Sequence, residues 1–226
     1  MPNRFPLPRL VLLLLVGTAL TAATDKPLTP PERWLPDIEA LTARDQTNPP
    51  PADGVVFVGS SSIRLWETLE TDFGGIHVIN RGYGGSYLSH TVHFAERIIL
   101  PYRPRAVVIY AGENDLWDGK TAEALAADFE ALRLKVRTAL PQCRLIFLSI
   151  KLSPSRIRIH NAVREANSLI ERICATDPHC RYLDVATPML MVGGAFRAEL
   201  YVDDQLHLSP SGYALWRDLI APHLKP

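Results

Sequence analysis

Five short apolar runs punctuate the chain from residue 55 onward: Val55–Gly59, Ile76–Asn80, Ala106–Ala111, Arg144–Ile150 and Arg181–Val185. They are mostly Val, Ile, Leu and Phe, without the strict polar alternation of a strand that has one wet face. Such runs fit parallel strands covered on both sides. Helix candidates separate them, over Ile63–Leu69, Ser86–Leu100, Thr121–Leu140, Arg156–Ala175 and Ser209–Leu224. Thr121-Ala122-Glu123 opens one with a capping residue and an early acid. Ser209-Pro210 opens the last with proline at the first helical position. The alternation predicts an α/β fold, a three-layer α/β/α sandwich around a five-stranded parallel sheet. Right-handed crossovers then gather the strand C-terminal ends on one edge, where ligands bind in such sheets.

Upstream the pattern changes twice. Residues 24–52 are rich in proline, ending in Pro49-Pro50-Pro51. Within them, Glu32 to Gln46 predicts a short amphipathic helix with Trp34, Leu35, Ile38 and Leu41 on a shared face. This arm is expected to pack on a single domain spanning 53–226. Residues 1–23 carry Arg4 and Arg9, then the apolar run Leu10–Leu20, then Thr21, Ala22 and Ala23. That order describes a secretory signal peptide cleaved near Ala23. The run falls well short of the roughly 20 residues that cross a bilayer as a helix. An uncleaved anchor is the alternative. The expectation is export to the periplasm or beyond, with no stable membrane insertion after cleavage.

Composition narrows the partners. The 226-residue chain has 24 basic and 24 acidic residues, so nothing in its charge suggests nucleic acid as a partner. Of three cysteines, Cys174 and Cys180 are the expected pair, because Asp177-Pro178 can turn the chain between them; Cys143 is left as a free thiol. His90 and His93 form an HxxH without further ligands nearby, so no metal is expected.

The chemistry sits in four loops at predicted strand ends or helix starts. Gly59-Ser60-Ser61-Ser62 follows the first strand, and Asn80-Arg81-Gly82-Tyr83-Gly84-Gly85-Ser86 the second. Gly112-Glu113-Asn114-Asp115 follows the third, and Asp204-Gln205-Leu206-His207 precedes the last helix. Alone, each reads as an ordinary loop. Together they supply a serine hydroxyl, an imidazole base and a carboxylate to orient it. They also supply oxyanion donors: a backbone N–H of the glycine loop, the Asn114 amide and the serine's own N–H. Dinucleotide and phosphate-loop fingerprints fail, since Tyr87 and Asn114 stand where glycines are required.

These four blocks, with Phe57–Trp66 and Leu206–Tyr213 around the outer two, resemble the SGNH (GDSL-type) hydrolases. They resemble in particular the branch of platelet-activating-factor acetylhydrolase subunits, over residues 53–224. The resemblance implies a flavodoxin-like sheet and ester or thioester hydrolysis without metal or organic cofactor. Residue by residue, it implies Ser61 as nucleophile, Asp204 and His207 as its partners, and Ser61, Gly85 and Asn114 as oxyanion donors. Gly84 is the neighbouring alternative to Gly85. Asp203 is the alternative to Asp204, at a spacing of four from His207. The chain departs from the family in carrying Ser60 where an Asp is usual. Ser62 is then expected to cap the following helix. Trp66, Tyr83, Tyr87 and Trp117 read as core more readily than as pocket wall. Lys151–Ser155 is a candidate pocket wall, Arg81 a candidate rim residue, and Asp115 a brace for its loop.

The expected function is an exported serine esterase that cleaves short-chain, chiefly acetyl, esters. Its expected partner is a small acylated substrate such as an acetylated glycan. A non-catalytic acyl-glycan-binding module and an O-acyltransferase using the same site are the alternatives.

Overall fold

The computed structural model describes residues 28–225. The expected signal peptide and its cleavage point lie outside the described residues.

A short 3-10 turn, Pro31–Trp34, leads into α1 (Leu35–Thr47). β1 (Val55–Gly59) is followed by two single-turn helices, α2 (Ser61–Arg64) and α3 (Leu69–Asp72), and then β2 (Val78–Gly82). Next come α4 (Leu88–Ile98), β3 (Ala106–Tyr110), α5 (Glu113–Trp117), α6 (Ala122–Ala139) and β4 (Arg144–Leu148). α7 (His160–Cys174), β5 (Cys180–Leu183) and α8 (Pro210–Ile220) complete the order. All strand pairs are parallel, in the order β2-β1-β3-β4-β5. This is the expected α/β/α sandwich.

β1 and β3 are buried along their whole length, which is why they need no polar alternation. Alternate side chains feed two cores. Val56 and Val58 meet Leu88, Phe94, Phe129 and Ile170 on the face covered by α4, α6 and α7. Val55 and Phe57 meet Trp66, Tyr213, Trp216 and Ile220 on the face covered by the α2–α3 segment and α8. Burying each such large side chain contributes about 1.5–3 kcal/mol. α1 packs on α4, with Trp34 and Ile38 buried in the first core.

Several boundaries differ from the sequence expectation, each for a local reason. β2 runs two residues later than Ile76–Asn80, through Arg81 to Gly82. A strand can hold Arg81 because the side chain is neutralised: its guanidinium meets Asp45 at 2.5 Å and the Tyr102 hydroxyl at 2.9 Å. Arg81 is therefore buried in the fold and is not the rim residue expected. β4 stops at Leu148, because the Asn167 side chain takes both the N–H and the C=O of Ile150, each at 2.9 Å. The helix expected over Ile63–Leu69 is instead the two short turns α2 and α3. Residues Pro154–Ile159 form a 3-10 segment with a break at Arg156 (φ −123°, ψ 33°), so α7 begins only at His160.

The cysteine expectation is met only in part. Cys174 and Cys180 are free thiols with their sulfurs 3.0 Å apart. Cys143 is a buried free thiol, its pKa pushed up to about 12 by burial. Among the described residues, no helix is long and apolar enough to cross a membrane.

Candidate active site

β1 ends at Gly59, whose φ is +146° and where a Cβ would lie 1.9 Å from the Tyr110 carbonyl oxygen. Only glycine fits that close approach. The chain then swings from β1 into α2 at the C-terminal edge of the sheet, next to the end of β3. Of the three serines there, only Ser61 reaches an imidazole: its Oγ lies 2.9 Å from His207 Nε2. Ser60 is buried and its Oγ accepts from Asn114 Nδ2 at 2.7 Å. Ser62 is buried inside the first turn, so the expected N-cap is two residues off: Ser60 is the N-cap of α2, and its hydroxyl makes no capping bond. Ser60 Oγ has been taken by Asn114 instead.

The Asp204–His207 turn is built by its own carboxylate. Asp204 Oδ1 accepts from the backbone N–H groups of Leu206 and His207, both at 2.9 Å, while Gln205 sits at φ +56°. That leaves Asp204 Oδ2 facing His207 Nδ1 at 2.5 Å. Partial burial works to raise the Asp204 pKa. The hydrogen bonds from the His207 backbone, its ring and the Leu206 N–H outweigh it and hold the carboxyl at about 2. An ionised acceptor at Nδ1 requires that nitrogen to carry the proton, so Nε2 of a neutral ring is the acceptor facing Ser61.

The expected oxyanion donors come from the segments that follow β1, β2 and β3. The block after β3 is the short helix α5, which carries Asn114. Its Nδ2 donates to Ser60 Oγ and, at 3.1 Å, to Ser86 O. Its Oδ1 accepts from Arg156 Nη1 at 3.0 Å, which fixes the amide orientation. Gly85, at φ +74°, lies in the glycine loop beside Ser86. Neither the Gly85 N–H nor the Ser61 N–H has a hydrogen-bond acceptor among the described residues. Both are free to serve a ligand.

Of the expected pocket wall Lys151–Ser155, Lys151 lines the same cleft, beside Glu113, and both belong to a buried polar cluster. Lys151, 1 % exposed, donates to Glu113 Oε2 at 2.6 Å and to Ser153 Oγ at 2.8 Å. Ser153 donates in turn to the other Glu113 oxygen. Burial lowers the Lys151 pKa against the pull of Glu113. The cluster pins the start of α5, and so Asn114, to the loop after β4. Arg156 was missed altogether, because a lone arginine at a helix boundary carries no motif. Of the four aromatics weighed for the pocket, Trp66, Tyr83 and Tyr87 are core. Trp117 lies under the guanidinium groups of Arg156 and Arg158. Asp115 braces its surroundings as expected, accepting from the Leu88 N–H at 3.1 Å and from Lys120 at 3.3 Å.

The two histidines of the HxxH are spent on packing. His90 accepts from the Tyr87 N–H through Nδ1 and meets Thr29 O through Nε2 at 2.8 Å. His93 packs edge-on against Phe94.

Ser61, Asn114, Arg156, Leu206 and His207 line one cleft. Comparison with known proteins agrees with this architecture. The model of the GDSL-like lipase/acylhydrolase family matches residues 52–215. Platelet-activating factor acetylhydrolase IB subunit alpha2 of Gallus gallus is 27 % identical over 192 residues, covering 81 % of this chain and 80 % of that protein. A GDSL-like lipase from Bacteroides thetaiotaomicron superposes with a TM-score of 0.69 at 20 % identity, over 83 % of this chain and 97 % of the other. An acetylxylan esterase from Geobacillus stearothermophilus, solved as a catalytic mutant, does so with a TM-score of 0.64 at 14 % identity, over 77 % and 94 %. The chain therefore belongs to the GDSL-like lipase/acylhydrolase family, the ester-hydrolysing serine hydrolases.

Proposed function

We propose that this protein is an exported esterase that removes short acyl groups, chiefly acetyl, from a small or carbohydrate substrate through Ser61, His207 and Asp204. The observation that carries the reading is the continuous hydrogen-bonded line from Ser61 Oγ through the His207 ring to Asp204, at 2.9 and 2.5 Å. In this reading His207 Nε2 takes the Ser61 proton as Oγ attacks the ester carbonyl. Asp204 holds the ring in the required tautomer and stabilises the imidazolium. The oxyanion of the tetrahedral intermediate is met by the Ser61 and Gly85 N–H groups and by the Asn114 amide, which turns one of its two Nδ2 hydrogens from Ser60 Oγ or Ser86 O to do so. His207 then protonates the leaving alkoxide. A water, deprotonated by the same nitrogen, releases the acyl group from Ser61.

One observation supports the short acyl group: two of the similar proteins are a platelet-activating factor acetylhydrolase subunit and an acetylxylan esterase. The basic start and short apolar run of residues 1–23 support export.

The test is hydrolysis of p-nitrophenyl acetate, butyrate and palmitate by the wild-type protein and S61A, followed by acetate release from acetylated xylan. Turnover of the two short esters that vanishes in S61A is expected. Turnover of palmitate in preference to acetate would overturn the acyl-length reading. Activity retained in S61A would overturn the nucleophile.

A further inference from the structure

The peptide unit between Gly84 and Gly85 carries the proposed backbone oxyanion donor, and it is held from outside the segment that matches the family model. Trp34 Nε1 donates to Gly84 O at 2.8 Å. The C=O of Gly84 and the N–H of Gly85 belong to the same planar unit and point in opposite directions. A bond that fixes the carbonyl therefore fixes the N–H on the far side, directed away from Trp34. The Ser86–Tyr87 peptide, one unit beyond the next, is held by Asn114 Nδ2 on Ser86 O at 3.1 Å. Between these two anchors Gly85, at φ +74°, has no Cβ to lock its backbone, and its N–H has no acceptor of its own among the described residues.

Trp34 is itself held in place. It is 5 % exposed, and its ring lies 4.3 Å from that of His90 and 6.3 Å from that of Tyr87. His90 is tied back to the arm through Thr29 O. Nothing in this packing requires the indole N–H. The hydrogen bond to Gly84 is an addition to a ring already seated.

We propose that Trp34 is a positioning residue for the oxyanion hole: the N-terminal arm reaches over α4 and aims the Gly85 N–H. The proposal rests on the esterase reading above only in making that N–H a donor to the reaction. Loss of one oxyanion donor outright costs about 10²–10³ in kcat. Releasing the carbonyl leaves the donor present but less well aimed, so a smaller effect is expected.

The experiment uses the full chain with W34F, which keeps an aromatic ring against His90 and deletes the donor, and W34A, which removes both. With p-nitrophenyl acetate, W34F is expected to lower kcat about 5- to 30-fold, a fraction of a full donor loss, with KM within about twofold. The backbone amide resonance of Gly85 in ¹⁵N-labelled protein is expected to shift in W34F while that of Val108, deep in β3, stays. W34A is expected to add a loss of thermal stability that W34F does not show. An unchanged kcat with an unmoved Gly85 resonance overturns the proposal. So does a rise in KM with kcat and the resonance unchanged, which would place Trp34 in substrate binding. Absence of Ser61-dependent turnover in the wild type sinks the esterase reading instead, and the Gly85 resonance then decides whether Trp34 holds the peptide.

Discussion

Ser155 grips the carbonyl of Gln205 twice, through its backbone N–H at 3.2 Å and its hydroxyl at 3.1 Å. The loop after β4 thereby supports the turn that carries both Asp204 and His207. Replacing Ser155 by Ala removes one of the two bonds, about 1 kcal/mol or fivefold. The expected result is a fall in kcat of up to about fivefold with little change in KM, read on p-nitrophenyl acetate. An unchanged kcat would mean that Asp204 alone is enough to hold the turn.

Asp204 forms the turn with one oxygen and faces His207 with the other, so the two duties can be separated. D204N keeps an acceptor for the Leu206 and His207 N–H groups. It presents an NH₂ group to Nδ1 and drives the ring to the tautomer that cannot accept from Ser61. A loss of about 10³–10⁴ in kcat is expected, with the fold intact by circular dichroism. A loss below tenfold would reduce Asp204 to a turn former.

The Lys151–Glu113 pair is almost fully enclosed, so removing one partner leaves a buried charge without compensation. K151M is expected to lower unfolding stability by about 3–5 kcal/mol in a urea titration. E113Q combined with K151M is expected to recover much of that loss, because no charge is then stranded. A double variant no better than K151M alone would show that packing, rather than charge, dominates the cluster.

Burial pushes the Asp115 carboxyl up to about 6 from an ordinary 3.8, with Lys120 and the Leu88 N–H working the other way. A carboxyl that binds its proton more tightly when folded contributes stability that is present below pH 4 and is lost as pH rises through about 6. D115N retains an acceptor for Leu88 and cannot ionise. Its melting temperature is therefore expected to gain on the wild type between pH 4 and 7. The opposite trend would mean that the ion pair with Lys120 outweighs burial.

Much of this arrangement could be read from the chain because it rests on local rules. Uninterrupted apolar runs gave the strands, and the outer blocks placed Ser61, Asp204 and His207 at predicted element ends. The parts that escaped depend on distant partners. Arg81 belongs in a strand only because Asp45 and Tyr102 receive it. β4 ends where Asn167, on another element, substitutes for a neighbouring strand. Arg156 and Trp34 act through a side-chain amide and a backbone carbonyl far away in sequence. No spacing rule announces such pairs. The choice of Ser61 among three serines followed from resemblance, and its proximity to His207 gives that choice a geometric basis.

The reach of the arm also bears on how a working unit could be cut from this chain. A protein trimmed to the family match, 52–215, would end one residue before Trp216, which is fully buried, and would lack Ile220 and Leu224 as well. At its other end it would lose Trp34 and Asp45, stranding the Gly84 carbonyl and the Arg81 guanidinium at once. For expression, transplantation or directed evolution, the sensible minimum runs from about Thr29 to Leu224. The borders of kinship and the borders of the machine are different lines.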